Sequence, residues 1–228
     1  MNNETGIAAA EYEEPTLEIP KPDRLQVKPY ETQIRAFDTL KNISVQLIGT
    51  DENPVSGQRL DVIAAGNGEV NSQPEKTTIT TDENGTAYFD LTAGKKTGIL
   101  RVRVRCQDPE FKHITADLET VIIPNEPSNL EIHNNLQAHP AGRKLPKPIR
   151  VVVQDRFGNP VNEVAVSFQV TMGDGFFDNN GKKMTETTNV NGEITMDFTL
   201  GKEPGFNAVD VRVADTDLVK AFQAVGQD

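Results

Sequence analysis

Apolar and polar residues alternate along most of the chain beyond residue 22, and the alternation comes in short runs. In the C-terminal half Ile149, Val151 and Val153 fall on one face, and Val164, Val166, Phe168 and Val170 on another. Ile194, Met196, Phe198 and Leu200 follow, and then Val209, Val211 and Val213. Polar residues fill the gaps: Ser167, Gln169 and Thr171 in one run, Glu193, Thr195, Asp197 and Thr199 in another. Successive side chains on a strand point to opposite faces, so a period of two predicts strands buried on one side. Turn clusters separate the runs at roughly 8 to 12 residues, the spacing of an all-β sandwich. No segment shows a convincing helical period.

The N-terminal half repeats this pattern in register. At an offset of 106, Ile43 aligns with Ile149, Asn53-Pro54-Val55 with Asn159-Pro160-Val161, and Leu60 with Val166. After a one-residue insertion the offset is 107, and "GNGEV" from Gly66 aligns with "GDGFF" from Gly173. "TTDENGTAYFDL" from Thr80 then aligns with "TTNVNGEITMDF" from Thr187, Gly98 with Gly205, Val102 with Val209 and Val104 with Val211. "DRLQV" from Asp23 resembles "SNLEI" from Ser128 and places the first strand of each copy. The expected organisation is an acidic linker or tail over residues 1–21, then two tandem sandwich domains over 22–123 and 127–228.

The repeated turns have local physical reasons. Gly85 and Gly192 each follow an asparagine between two strands, and Asn-Gly favours a hairpin because both residues tolerate positive φ. Pro54 and Pro160 lack a backbone donor and belong in loops or at strand edges. In order, residues 149–213 present a strand ending in Asp, a Gly-Asn-Pro-Val turn, an alternating strand, a Gly-x-Gly bend, a Thr-rich strand, Asn-Gly, another alternating strand, and a Gly before a valine-rich strand. This order resembles the bacterial Ig-like domain, group 1, of invasin- and intimin-type surface proteins. The N-terminal copy departs at one point, where Glu52 stands in place of the turn glycine Gly158. The resemblance implies two tandem immunoglobulin-like β-sandwich domains with a short linker. It further implies a non-catalytic structural or adhesion module of a bacterial cell-surface or secreted protein, a semi-rigid stalk presenting a distal module. The location so implied is extracellular or at the cell surface, with the periplasm as a variant, and the partners are neighbouring domains and a host or cell-surface protein or glycan.

Composition narrows the alternatives. The net charge is −11 over 228 residues, and neither half has the basic excess that binds a phosphate backbone, so nucleic acid is not an expected partner. No apolar run approaches the ~20 residues of a membrane-spanning helix. The first residues, rich in glutamate, lack the charged start and apolar stretch of a signal peptide. The single cysteine, Cys106, rules out an intramolecular disulfide and a cysteine metal cluster, and it continues the inward face of Leu100, Val102 and Val104. An accessory polysaccharide-binding module is the competing function. Such platforms usually stack sugars on exposed aromatics, and this chain has three tyrosines and no tryptophan.

The sequence carries no recognisable nucleophile–base pair, carboxylate pair or metal spacing, so an enzyme is not expected. His113, His133 and His139 are scattered. Arg101, Arg103 and Arg105 alternate with core residues and so share the outer face of one strand, near Lys95 and Lys96. That stripe suits an anionic partner such as an acidic glycan, or else a solvated face paired to acidic neighbours. Asp174, Asp178 and Asn180 are oxygen donors of the kind calcium takes, in a loop whose composition also suits ordinary turns. The connection Pro124–Pro127 is short and proline-bounded, which predicts a passive, semi-rigid spacer.

Overall fold

The computed structural model describes residues 20–74 and 76–228, so the expected acidic linker lies outside the described residues except at its last two positions. Every strand pair forms within 22–123 or within 129–227. In the N-terminal half one sheet runs Pro22–Val27, Thr39–Gly49, Thr86–Ala93, Gly68–Val70, Gln73–Pro74. Facing it are Gln33–Arg35, Thr115–Ile123, Gly98–Cys106, Arg59–Ala65 and Lys76–Thr80. The C-terminal half repeats the plan. Asn129–His133, Ile149–Gln154 and Glu193–Met196 face Gln137–Pro140, Val219–Gln227, Gly205–Val213, Ala165–Met172 and Lys183–Thr187. In each half one short strand pairs in parallel with the last long strand, and the other strands pair antiparallel. Among the described residues the helical content is one 3-10 turn, Pro109–Phe111.

The alternation seen in the sequence sorts side chains as expected. Ile149, Val151, Val153, Val166, Phe168, Val209, Val211 and Val213 are buried in a C-terminal core, and their counterparts fill a separate N-terminal one. Leu200 is also buried, but the run from Ile194 to Leu200 breaks at Asp197. Beyond the break, Phe198–Thr199 pairs with Phe176–Phe177, and Lys144 bridges to Thr199. The two cores differ in kind. Phe168, Phe177, Phe198 and Phe222 form a chain of rings with centroids 5.4–6.4 Å apart. Their counterparts in the repeat are Val62, Val70, Leu91 and Leu118, all buried. Gly175, the second glycine of its Gly-x-Gly bend, explains how the large ring fits: an added Cβ would lie 2.3 Å from Phe198 Cζ. Gly68 is under the same constraint, with Leu100 Cδ2 2.7 Å from the position of an added Cβ.

Threonine and Asx side chains repeat their bonds as well as their positions. Thr81 Oγ1 donates to the Val55 carbonyl at 2.9 Å, and Thr188 Oγ1 donates to the Val161 carbonyl at 2.9 Å. Each thus ties the strand after the bend to the Asn-Pro-Val turn. At the Asn-Gly hairpins Asp82 Oδ1 accepts from the amides of Asn84 and Thr86, and Asn189 Oδ1 from those of Asn191 and Glu193. Aspartate and asparagine serve interchangeably here because the bond needs only an oxygen acceptor.

Candidate functional site

The arginine stripe lies on the outer face of its sheet, and register supplies each guanidinium with a carboxylate. Arg101 stands opposite Glu119 and Arg103 opposite Asp117 on one neighbouring strand, while Arg105 stands opposite Asp61 on the other. Arg103 is bidentate, with Nε 2.7 Å from Asp117 Oδ1 and Nη2 2.9 Å from Oδ2. Arg101 Nε is 2.6 Å from Glu119 Oε1. Asp61 is buried, receiving Lys76 at 3.0 Å and Arg105 at 3.3 Å. Burial pushes its carboxyl up, but the hydrogen bonds from Lys76 and Arg105 outweigh that and hold it below the ordinary aspartate value. An external anion would have to compete with these carboxylates. Exposed pairs of this kind contribute little, so Arg103→Ala is expected to leave the melting temperature nearly unchanged. Retention of wild type and variant on a sulfated-glycan column should be equal, and stronger retention of the wild type would favour an anionic partner.

The other candidates are spread out. Among the described residues no group of three or more His, Cys, Asp or Glu side chains is placed to hold a metal ion. Asp174 Oδ1 accepts from Lys182 Nζ at 2.7 Å, and the Asn180 amide donates to the Phe177 carbonyl within a tight turn. His133 Nε2 lies 3.4 Å from Glu131. Cys106 is buried, and burial, followed by the nearby charge of Asp108, pushes its thiol up to about 11.

Lys95 and Lys96 belong elsewhere, at a junction between the halves. There the turn Asp155–Asn159 reaches across to the N-terminal half. Phe157 packs against the N-terminal core cluster, its ring edge-on to Phe37 at 5.7 Å and capped by Arg156 at 4.7 Å. Lys95 Nζ sits 5.6 Å from the centre of the Phe37 ring, and Lys96 Nζ donates to the Phe157 carbonyl at 3.2 Å.

Beneath the rings lies a polar network around one buried carboxylate. Asp155 and Asn159 are each only 2% exposed. Asp155 Oδ1 accepts from the amides of Phe157 at 2.8 Å and Asn159 at 2.9 Å. Its Oδ2 accepts from the Asn125 amide at 3.0 Å and from Asn159 Nδ2 at 2.9 Å. Asn159 Nδ2 also donates to the Lys95 carbonyl at 2.7 Å, and Asn159 Oδ1 accepts from the Thr97 amide at 3.2 Å. Asn125 Nδ2 donates to the Ala36 carbonyl. A buried carboxylate without a cation survives because four N–H donors replace its water. Burial pushes the Asp155 carboxyl up, but these hydrogen bonds prevail and hold it below its ordinary value.

One sequence reading changes here. The connection Pro124–Pro127 is not a passive spacer, since Asn125 bonds both halves and Arg35 meets Glu126 at 2.8 Å. Glu52 keeps the turn geometry of Gly158, with φ of 64° against 76°. Its carboxylate is held there by Arg24, Nη1 lying 2.9 Å from Oε1. Among the junction residues Phe37, Asp155, Phe157 and Asn159, Phe157 carries the signal that the sequence offered. Phe157 aligns with Asp51, and hydrogen bonding matches Phe37 with Gly142: the Phe37 amide donates to the Gly94 carbonyl as the Gly142 amide does to that of Gly201. An aromatic at a turn position in one copy only was the available signal.

Comparison with known proteins bears on the fold. No protein-family profile and no curated protein matches the chain. Among solved structures, the Escherichia coli adhesin FdeC is similar over 92% of this chain and 65% of its own, at 18% identity and a TM-score of 0.52. Yersinia pseudotuberculosis InvD is similar over 90% of this chain and 57% of its own, at 18% identity and a TM-score of 0.60. The chain thus spans less than two thirds of either structure. At this identity the likeness establishes the architecture alone, an all-β fold resembling Ig-like β-sandwiches.

Proposed function

We propose that residues 22–123 and 127–228 are two tandem Ig-like domains forming a non-catalytic, semi-rigid stalk segment of a bacterial cell-surface or secreted protein. The observation that carries this reading is the junction. A flexible pair of modules needs no buried polar network between them, because a linker alone keeps them together. Here the buried Asn159 amide, held by Asp155 of its own turn, also bonds Lys95 and Thr97 of the N-terminal half, and those cross-half bonds are met only in one relative orientation. Likeness to FdeC, described as an adhesin, supports a role in presenting a binding module. Fold alone does not fix function, so the mechanical reading rests on the junction.

Small-angle scattering tests it. An elongated particle, with one narrow distribution of end-to-end distances, is the expected outcome. A compact globule, or a broad distribution typical of freely hinged modules, would remove the stalk reading.

A further inference from the structure

The backbone of Phe37 is unusual. Its φ is 67°, in the left-handed region where a side chain meets the backbone, and its counterpart Gly142 has φ 70°. The turn therefore requires this conformation in both halves, and glycine is the residue that adopts it without steric cost. Phenylalanine stands there in the N-terminal half, whose turn faces the Asp155–Asn159 loop of the other half. The residue is 53% exposed, so burial within its own core does not explain it. What it touches is Phe157, edge-on at 5.7 Å, and Lys95 above it.

The partner loop tells the same story from the other side. In the C-terminal half the carboxylate that grips the conserved turn geometry comes from Asp155, which leaves position 157 free for a ring. In the N-terminal half the equivalent of Asp155 is Gly49, and the carboxylate comes instead from Asp51. It accepts from the Asn53 amide at 3.1 Å and from Asn53 Nδ2 at 2.8 Å. An added Cβ on Gly49 would lie 2.9 Å from Asp51 Oδ1 and 2.8 Å from Pro20 Cβ, so the two arrangements exclude one another. The position matching Phe157 is consumed by the turn itself. Neither outer end of the described chain therefore repeats the ring pair.

We infer that Phe37 and Phe157 are a dedicated coupling pair, through which docking of the C-terminal half stabilises the N-terminal half and offsets the strain of the left-handed Phe37 backbone. This deepens the stalk reading, because it makes the junction an energetic link as well as a geometric one. The pair also selects its partner, since the turn at Asp51 presents a carboxylate where a ring is required.

A double-mutant cycle on the full chain tests the inference, with Cys106 as the reporter. It is the chain's sole cysteine and is buried in the N-terminal core, so its reaction with a thiol dye on heating reports opening of that half alone. In the wild-type background Phe37→Gly is expected to lower this transition by a few degrees. In the Phe157→Ala background, where the ring has no partner, the same change is expected to leave it unmoved or raise it by about 3 °C as strain is released. Phe37→Tyr, which keeps the ring, should preserve the coupling. Equal shifts for Phe37→Gly in both backgrounds would overturn the inference. Failure of the stalk reading is separable: a cooperative cycle in a compact particle removes the stalk alone, and additive shifts in an elongated one remove the coupling alone.

Discussion

Phe198→Ala is expected to unfold the C-terminal half near ambient temperature while the N-terminal half stays folded. Phe198 sits between Phe177 and Phe222 in the ring chain and is 1% exposed. Truncating a buried phenylalanine costs about 3–5 kcal/mol, partly the lost transfer free energy and partly the cavity left behind. The cavity is hard to collapse here, because the ring's neighbours are other rings and the backbone of Gly175, which cannot lean in. For a unit of about 100 residues, each kcal/mol corresponds to about 4–8 °C, so the transition of that half should fall by about 12–40 °C. Calorimetry should then show one transition displaced and one near its original place, lowered only by lost docking. Cys106 should remain protected from thiol dye at temperatures where the C-terminal amides already exchange. Simultaneous loss of both would mean that the two cores unfold as one cooperative body.

Asp155→Ala is expected to loosen the junction and destabilise the C-terminal half together. The substitution strands the amides of Asn125, Phe157 and Asn159 and one hydrogen of Asn159 Nδ2 in a place with little access to water. Leaving buried donors without partners carries a penalty of about 3 kcal/mol or more in such a setting. Scattering of this variant should broaden toward hinged conformers. The same residue shapes the acid response. Its folded pKa lies below the ordinary 3.8, so its contribution is complete above that value and is lost as pH falls through the lower folded one. Asp61 acts with the same sign in the N-terminal half. Denaturant midpoints should hold steady between about pH 5 and 7 and decline below about pH 4. In Asp155→Ala the decline belonging to the C-terminal half should be shallower.

Most of the architecture was legible in the sequence because period-two alternation and repeated turns both act locally. Val209, Val211 and Val213 needed no tertiary information to be placed facing inward, and Gly85 and Gly192 announced their hairpins through positive φ. The fate of Arg101, Arg103 and Arg105 was only half legible. Alternation put them on one outer face, but which carboxylate each would meet depends on cross-strand register, which spacing along one strand does not contain. The junction was hidden for a related reason. Asn159 looked like turn chemistry, and it is, yet its side chain also reaches Lys95 and Thr97 from some sixty residues away. A polar residue that satisfies its own turn and a distant backbone at once carries no mark of the second task. Only Phe157, an aromatic in a loop where its counterpart is Asp51, departed from the local pattern.

The change of carboxylate from Asp155 in one turn to Asp51, two places further along, in the other has a further consequence. In both cases the oxygens reach the same asparagine, so the loop keeps its shape while a different side chain is released to face outward. Each copy of the motif thus has a spare position whose occupant is decided by where the acid is written, and an array of such units could assign a distinct neighbour to every joint with no change in any core.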